Sequence, residues 1–242
     1  MKAFVLAAGV GSRLRPLTDA LPKALLPVGG VPMLERTAVR LRDAGVSELV
    51  VNAHHHAERV AAFCADLAGR LGVRIDVSRE DALLLDTGGG LKKAAPLLSS
   101  AGPFFVHNAD VLSDLDLRAL MAAHRASGAL ATLACRGRPS SRLLLFAPDG
   151  RLAGRRSPEG VEWAREPRPD AEALGFDGIS VLSPELLPLI SEEGVFPLTR
   201  PWLRLAGAGR EIRLFRADRW AWHDVGSPER LAAAEAWASR RG

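Results

Sequence analysis

Apolar residues in the first half of the chain fall into short continuous runs separated by longer amphipathic stretches. Residues 3–8 (AFVLAA) form one such run, closed by Gly9, as expected for a strand buried on both faces. Residues 33–44 predict a helix and 48–53 (ELVVNA) a second strand. Residues 57–71 predict another helix, with Val60, Phe63, Cys64 and Leu67 at helical spacing. A third strand follows over 73–77, a helix over 89–98 and a fourth strand over 103–107. This alternation predicts an α/β fold with a doubly wound, mixed but mainly parallel sheet. Ligands of such sheets lie beyond the carboxyl ends of the strands.

After Leu130 the pattern changes. Strands are expected over 131–135, 143–146 and 176–182, with turns at Pro148-Asp149-Gly150 and Arg168-Pro169-Asp170. Residues 136–170, rich in Arg, Pro, Gly and Ser, read as an excursion from the main sheet. Helices over 184–190 and 198–208, a strand over 211–215 and a helix over 228–240 complete the chain. Ser227 is placed to cap that last helix, with Pro228 in its first turn.

Composition narrows the function. With 242 residues, 48% hydrophobic and 25% charged, the chain can bury one substantial core, so a single domain over 1–242 is expected. The net charge of +4, 32 basic against 28 acidic residues, is too mild and scattered to suggest nucleic acid, and suits small anionic substrates. Cys64 and Cys135 lack any metal-ligand spacing and are expected as buried free thiols of a reducing cytoplasm. The N-terminal apolar run is too short for an export signal. No stretch approaches the roughly 20 apolar residues that span a bilayer.

The chemistry begins directly after the first strand, in Ala7-Ala8-Gly9-Val10-Gly11-Ser12-Arg13-Leu14-Arg15. Gly9 and Gly11 let backbone N–H groups approach an anion, and Arg13 and Arg15 can meet phosphate oxygens. Leu14 stands where a dinucleotide fingerprint needs its third glycine, which argues against a Rossmann oxidoreductase. Lys23, between Pro22 and an apolar run, can turn its ammonium back to the loop. Asp110 follows the strand PFFVH and Asp224 follows Trp220-Ala221-Trp222-His223. Each acid is expected at a strand's carboxyl end, although an aspartate there alone often caps a turn. Thr87 is placed to cap the helix that Asp86-Thr87-Gly88-Gly89-Gly90 opens.

Together, LAAGVGSRLRPLT at 6–18 and PKALLPV at 22–28 closely resemble the N-terminal motif of the sugar-1-phosphate nucleotidyltransferases. NAD at 108–110 is similar to that family's N-G-D motif, WHDVGS at 222–227 to its W-x-D-V-G-T motif, and FDGISVL at 176–182 to its F-S-G-I-S-V-L strand. LDTGGG at 85–90 resembles the LETGGG of the N-acetylmuramate-1-phosphate uridylyltransferase branch. The resemblance covers essentially the whole chain. It implies a three-layer αβα fold of the nucleotide-diphospho-sugar transferase type, with residues 1–130 the nucleotide half and 131–242 the sugar and second metal-ligand half.

The resemblance further implies catalytic roles for Arg13, Lys23, Asp110 and Asp224. Gly9, Gly11 and Arg13 would hold the β- and γ-phosphates, Lys23 the α-phosphate, and Asp110 with Asp224 one Mg²⁺. Ala7, Ala8, Ser12, Asp86, Gly88, Gly89 and Asn108 would line the nucleotide site, with UTP the favoured NTP. Glu166, Asp177 and Gly178 would meet the sugar, although Asp177 replaces the family's serine and the lysine of its E-K-P segment is missing beside Glu166. The partners implied are an NTP and a sugar 1-phosphate, with neither nucleic acid nor membrane, for a monomer or small homo-oligomer. A guanylyltransferase of mannose or heptose 1-phosphate is the alternative within the class. A nucleotide-sugar sensor without turnover is disfavoured by the presence of Lys23 and both acids. His54–His56 are expected at a solvated corner rather than on a metal, since adjacent residues share no face. His107 and His223 are expected to pack behind the site, and Trp220 and Trp222 on opposite faces of the strand leading to Asp224.

Overall fold

The computed structural model describes residues 1–99 and 102–240. In chain order it contains β1 (Lys2–Leu6), α1 (Leu17–Ala20), β2 (Pro27–Val28), β3 (Val31–Pro32), α2 (Met33–Asp43), β4 (Glu48–Ala53) and α3 (Ala57–Leu71). Then come β5 (Arg74–Arg79), α4 (Asp86–Leu98), β6 (Phe104–Asn108), β7 (Val111–Ser113), α5 (Leu117–Ser127), β8 (Ala131–Arg136) and β9 (Leu143–Phe146). The last third holds β10 (Leu152–Ser157), β11 (Gly160–Trp163), β12 (Glu172–Leu182), α6 (Thr199–Gly207), β13 (Ile212–Arg216), β14 (Trp222–Asp224) and α7 (Pro228–Ser239).

The parallel core is β6-β1-β4-β5, with Phe4 opposite Val50 on one side and Val106 on the other. β12 joins β6 antiparallel and carries β8 and β9, so the sheet is mixed, as its sequence pattern implied. Alternation along the strands sorts the side chains onto two faces. Ala3, Val5, Leu49, Val51 and Phe105 pack with α2, α3 and α5, whereas Phe4, Val50, Phe104 and Val106 pack with α4 and α6. Those two cores are the two interfaces of a three-layer αβα arrangement.

Some elements lie outside the sequence expectations. Helix α5 was not among them, although Asp116 caps it through Ala119 N (2.9 Å) and Gly128 closes it at a φ of 60°. The excursion at 136–170 is an ordered hairpin, β10–β11, extending the sheet from β9. Two ladders, β2–β3 and β7–β14, are too short to leave a periodic signal. Ser227 does cap α7, accepting from Arg230 N. Both cysteines are free and buried; burial pushes the Cys64 thiol up to about 12 and the Cys135 thiol well above its ordinary value. No described helix is long and apolar enough to cross a membrane.

Two buried histidines brace the frame in neutral form. His124 lies between Thr132 Oγ1 (2.9 Å) and Ser183 Oγ (3.0 Å). Ser183 donates its own proton to Ala129 O, so His124 Nε2–H donates to Ser183 and Nδ1 accepts from Thr132. Burial holds His124 down at about 4 and His107 at about 3, with the charges of Arg125 and Arg40 respectively adding to the effect.

Candidate active site

The carboxyl ends of β1, β4 and β5 are joined by a buried chain of hydrogen bonds. Ala7 N and Ala8 N donate to Asn52 Oδ1 (2.7 and 3.3 Å), Asn52 Nδ2 donates to Glu80 Oε1 (2.7 Å), and Leu85 N donates to Glu80 Oε2 (2.8 Å). Asn52 and Glu80 are almost completely buried. Three loops are thereby fixed relative to one another before any ligand arrives. The amides of Ala7 and Ala8 are occupied, so these residues contribute wall rather than donors.

The two glycines of the first loop have different reasons to be glycine. A Cβ on Gly9 would meet nothing within 4 Å, so the residue opens onto free space. Gly11 has a φ of +68°, and a Cβ there would stand 2.8 Å from Thr18 Cγ2 and 3.1 Å from Lys23 Cβ. Gly11 therefore shapes the turn from behind, and Ser12, exposed at the start of a 3₁₀ turn, itself lines neither of the two cavities described below. Lys23 also sits on a 3₁₀ turn, and its ammonium forms an ion pair with Asp110 Oδ2.

Asp110 and Asp224 come from distant parts of the sequence but share one ladder. Asp224 on β14 stands opposite Val111 on β7, and Val225 N donates to Asp110 O (3.0 Å). The Asp224 carboxylate accepts from Gly226 N (2.9 Å) and is held by Arg230 Nη1 at 2.9 and 2.6 Å. A Cβ on Gly226 would lie 3.2 Å from Arg13 Nη2, which places the Arg13 guanidinium beside Asp224. The first-loop arginine thus stands beside Asp224 and the lysine beside Asp110, at the point where the β7–β14 ladder brings the two acids' segments together.

Two cavities flank that point. One, of about 370 Å³, is lined by Leu6, Gly9, Lys23, Leu84, Asp86 and Val195 among others. The second, of about 530 Å³, is lined by Arg13, Arg138, Arg156, Gly178, Trp222 and Asp224 among others. Asn108 and Asp110 belong to the walls of both. Gly178, at a φ of +76°, lets β12 pass so close to Asn108 that a Cβ would meet its amide at 2.8 Å.

Several candidate residues occupy other places than the sequence suggested. Gly88 and Gly89 line neither cavity: both amides donate to Phe196 O, and a Cβ on either would strike Phe196 or Gly194 at 2.5 Å. They are glycines because the segment before α6 packs directly on the first turn of α4. Asp86, with a φ of 60°, and Thr87 are the residues of that motif left at the cavity. Thr87 is not the helix cap; its Oγ1 accepts from Leu198 N (2.8 Å). Glu166 is exposed and lines neither cavity, since Ala164 N donates to Ala153 O and Arg165 to Leu152 O and Arg210 O, leading the chain away. Asp177 does reach the second cavity, but its carboxylate is clasped by Arg136 (2.9 and 2.7 Å). Burial pushes this carboxyl up and the Arg136 guanidinium opposes the shift; the bidentate geometry is that of an ionised pair.

The histidine corner is less solvated than expected, because His54, His55 and His56 contact Glu80 O, Thr18 O and Asp19 O. Trp222 lies under Arg138 and donates to Asp177 O, whereas Trp220 stacks on Phe215. His223 packs against Trp237, with ring centroids 5.5 Å apart. Four residues of the site were not among the sequence candidates: Asn52, Glu80, Arg138 and Arg230. Arg138 is fixed 4.3 Å from the Trp222 ring centroid, with its Nη2 donating to Phe176 O and its buried Nε without a hydrogen bond but 4.0 Å from Asp177 Oδ1. Asn52 alone is legible afterwards, as a polar residue at the end of an apolar strand.

The chain matches the model of the nucleotidyl transferase family over residues 2–143. It is 35% identical over 244 residues to the N-acetylmuramate alpha-1-phosphate uridylyltransferase of Neisseria meningitidis, covering 98% of both chains. It is 34% identical to the protein of the same name from Caulobacter vibrioides, covering 97% of this chain and 95% of that one. Among solved structures, the inositol-1-phosphate CTP transferase from T. maritima superposes with a TM-score of 0.76 at 17% identity, over 98% of this chain and 94% of the other. That last likeness establishes the fold.

Proposed function

The chain belongs to the nucleotidyl transferase family and is a sugar-1-phosphate nucleotidyltransferase; from that premise we propose that it transfers the uridylyl group of UTP to a sugar 1-phosphate with the help of Mg²⁺. The observation that carries this reading is the pair of cavities sharing Asn108 and Asp110, with Asp224, Arg13 and Lys23 at their junction. UTP is read into the first cavity, where Leu84 and Val195 offer the base apolar walls and Gly9 leaves room for phosphate. The sugar phosphate is read into the second. UTP is preferred over GTP because the relatives alike over nearly the whole chain are named as uridylyltransferases.

In the reaction an ionised oxygen of the sugar phosphate attacks the α-phosphorus of UTP. The bond from that phosphorus to the bridging oxygen breaks, and pyrophosphate leaves in line. The attacking oxygen is already deprotonated at neutral pH, so the site needs no general base. Arg13 holds phosphate oxygens of the leaving group, and Lys23 neutralises charge that grows around the α-phosphorus. Arg138, already positioned over Trp222, meets the acceptor's phosphate.

Asp110 and Asp224 suit a hard cation: both are oxygen donors on the wall of the second cavity, with side chains 28% and 15% exposed. Among the described residues no third His, Cys, Asp or Glu completes a metal cage with them. That fits an ion whose other ligands are phosphate oxygens and water. Mg²⁺, when bound, screens the converging phosphates and the departing pyrophosphate. Lys23 and Arg230 would then exchange a carboxylate for a phosphate partner. The workplace we read for the enzyme is the cytoplasm, consistent with two buried free thiols.

A matrix of UTP, GTP, CTP and dTTP against sugar 1-phosphates, read by pyrophosphate release, tests the proposal. UTP is expected to give the highest kcat/KM, and excess chelator to abolish the signal. Equal rates with and without chelator would remove the metal from the mechanism.

A further inference from the structure

Asp110 and Asp224 are each paired with a cation of the chain itself, but the two pairs are built differently. Lys23 is nearly enclosed, its side chain 13% exposed, on a 3₁₀ turn where Gly11 crowds its stem. The Arg230 side chain is 55% exposed. Among the described residues its guanidinium forms hydrogen bonds and an ion pair with Asp224 only, and Nη1 alone makes the contact. It stands between two open spaces. One is the second cavity; the other, of about 350 Å³, is lined by Arg138, His223 and Ala233 among others.

Everything around this side chain is fixed. Asp224 lies in the β14 ladder opposite Val111, and its Oδ1 accepts from Gly226 N at 2.9 Å. Among the described residues, Oδ2 accepts a hydrogen bond from Arg230 alone, at 2.6 Å. Helix α7 is anchored too: Ser227 caps it, Glu235 accepts from Gly29 N at 2.6 Å, and Ala234 and Ala238 cluster with Val28 and Met33. The Arg230 side chain can therefore leave without moving its helix, and its departure uncovers a carboxylate already in position. An exposed ion pair contributes little, because water solvates both partners and pairing costs the long side chain its rotamer freedom. A divalent cation brings twice the charge to the same oxygens.

Resting on the reading that Asp110 and Asp224 hold a divalent cation, we infer that Arg230 competes with that cation for Asp224 and so couples metal binding to nucleotide binding. Without nucleotide, the ion must displace the guanidinium into water. Phosphate oxygens held by Arg13, which stands beside Asp224, offer the guanidinium another anionic partner. The cost of displacing Arg230 then falls, and the ion binds more tightly. By linkage the effect is reciprocal: the ion strengthens nucleotide binding by the same factor.

Mn²⁺ titration followed by electron paramagnetic resonance tests this on wild type, Arg230→Gln, Arg230→Lys and Arg156→Gln. The last removes a cavity arginine that has no bond to either acid, and so controls for net charge. Without nucleotide, Arg230→Gln is expected to bind Mn²⁺ about fivefold more tightly than wild type, the upper end of an exposed pair's contribution. Arg230→Lys, which keeps the charge but loses the planar fork, should fall between the two and carries the comparison if the Tm of Arg230→Gln drops. Arg156→Gln should stay near wild type. A non-hydrolysable UTP analogue should tighten Mn²⁺ binding by a smaller factor in Arg230→Gln than in wild type. Nucleotide-free affinity that is unchanged or weaker in Arg230→Gln, or that rises equally in Arg156→Gln, overturns the inference while the metal reading stands. Mn²⁺ binding that Asp110→Asn and Asp224→Asn both leave undiminished removes the metal reading, and the inference with it.

Discussion

On the nucleotide side of the cleft the walls rest on one buried relay, from the amides of Ala7 and Ala8 through Asn52 and Glu80 to Leu85 N. Backbone groups form both of its ends, so the relay fixes loops relative to the parallel strands. On the acceptor side the walls rest on ion pairs, Asp177 with Arg136 and Asp224 with Arg230, around a hairpin that extends the sheet. The first construction suits the proposed nucleotide site, whose loops would keep one geometry in every turnover. The second leaves charge available to be satisfied by the substrate. On the proposed assignment of the two cavities, the difference separates where the chemistry is set, at loop ends of the parallel core, from where the acceptor is chosen, on β9, β10 and the floor of β12.

Breaking each construction in turn should reveal the contrast. Asp177→Ala leaves Arg136 almost buried without its partner and should cost about 3–5 kcal/mol of stability. Glu80→Ala strands the Leu85 amide and the Asn52 side chain and should cost about 1–3 kcal/mol. Denaturant unfolding of the two variants checks both values, and equal losses would erase the distinction between the halves. Lys23→Ala should lower kcat by about 10²–10³-fold, the scale of removing one preorganised transition-state contact. Its circular dichroism spectrum should not change, and a variant with near-normal kcat would remove Lys23 from the chemistry.

Acid probes the frame that the two halves share. His107 and His124 stay neutral in the folded protein down to about 3 and 4, whereas an unfolded histidine takes up a proton near 6.5. Between those values the unfolded chain binds more protons, so stability present above pH 6.5 is lost as the pH falls towards 4. Each histidine contributes up to about 1.4 kcal/mol per pH unit. Urea unfolding at pH 7 and pH 5 measures this slope, and His124→Asn should make it shallower.

The smallest effect separates the two loop glycines. Gly11→Ala should lower stability by about 1 kcal/mol or more, because its φ is left-handed and Thr18 is in the way. Gly9→Ala should leave Tm unchanged and raise the KM for UTP. A lowered Tm in Gly9→Ala would show that the first loop needs both glycines for folding.

The same contrast explains what the sequence made legible. The parallel core could be read because burial on both faces writes continuous apolar runs, and 48–53 and 57–71 match β4 and α3 residue for residue. The loop, Lys23 and the two acids could be read because their neighbours form extended motifs. Glu80 could not: its role arises from the partners that tertiary folding brings to it, and alone it looks like any surface glutamate. Arg138, Arg142 and Arg156 sit in a segment whose Arg, Pro and Gly content hides the β10–β11 hairpin. Gly88 and Gly89 were legible as a motif, but the contact that requires glycine there comes from Phe196 and Gly194, which the sequence alone does not bring to them.

The central claim is that Asp110 and Asp224 act together on one triphosphate–metal unit. Titrating Mn²⁺ into the protein by electron paramagnetic resonance, with and without a non-hydrolysable UTP analogue, tests it most directly. Wild type should bind the ion tightly in the presence of the analogue, and Asp110→Asn and Asp224→Asn should each weaken that binding by an order of magnitude or more. Undiminished Mn²⁺ binding in both variants, with the analogue still bound, would contradict the account.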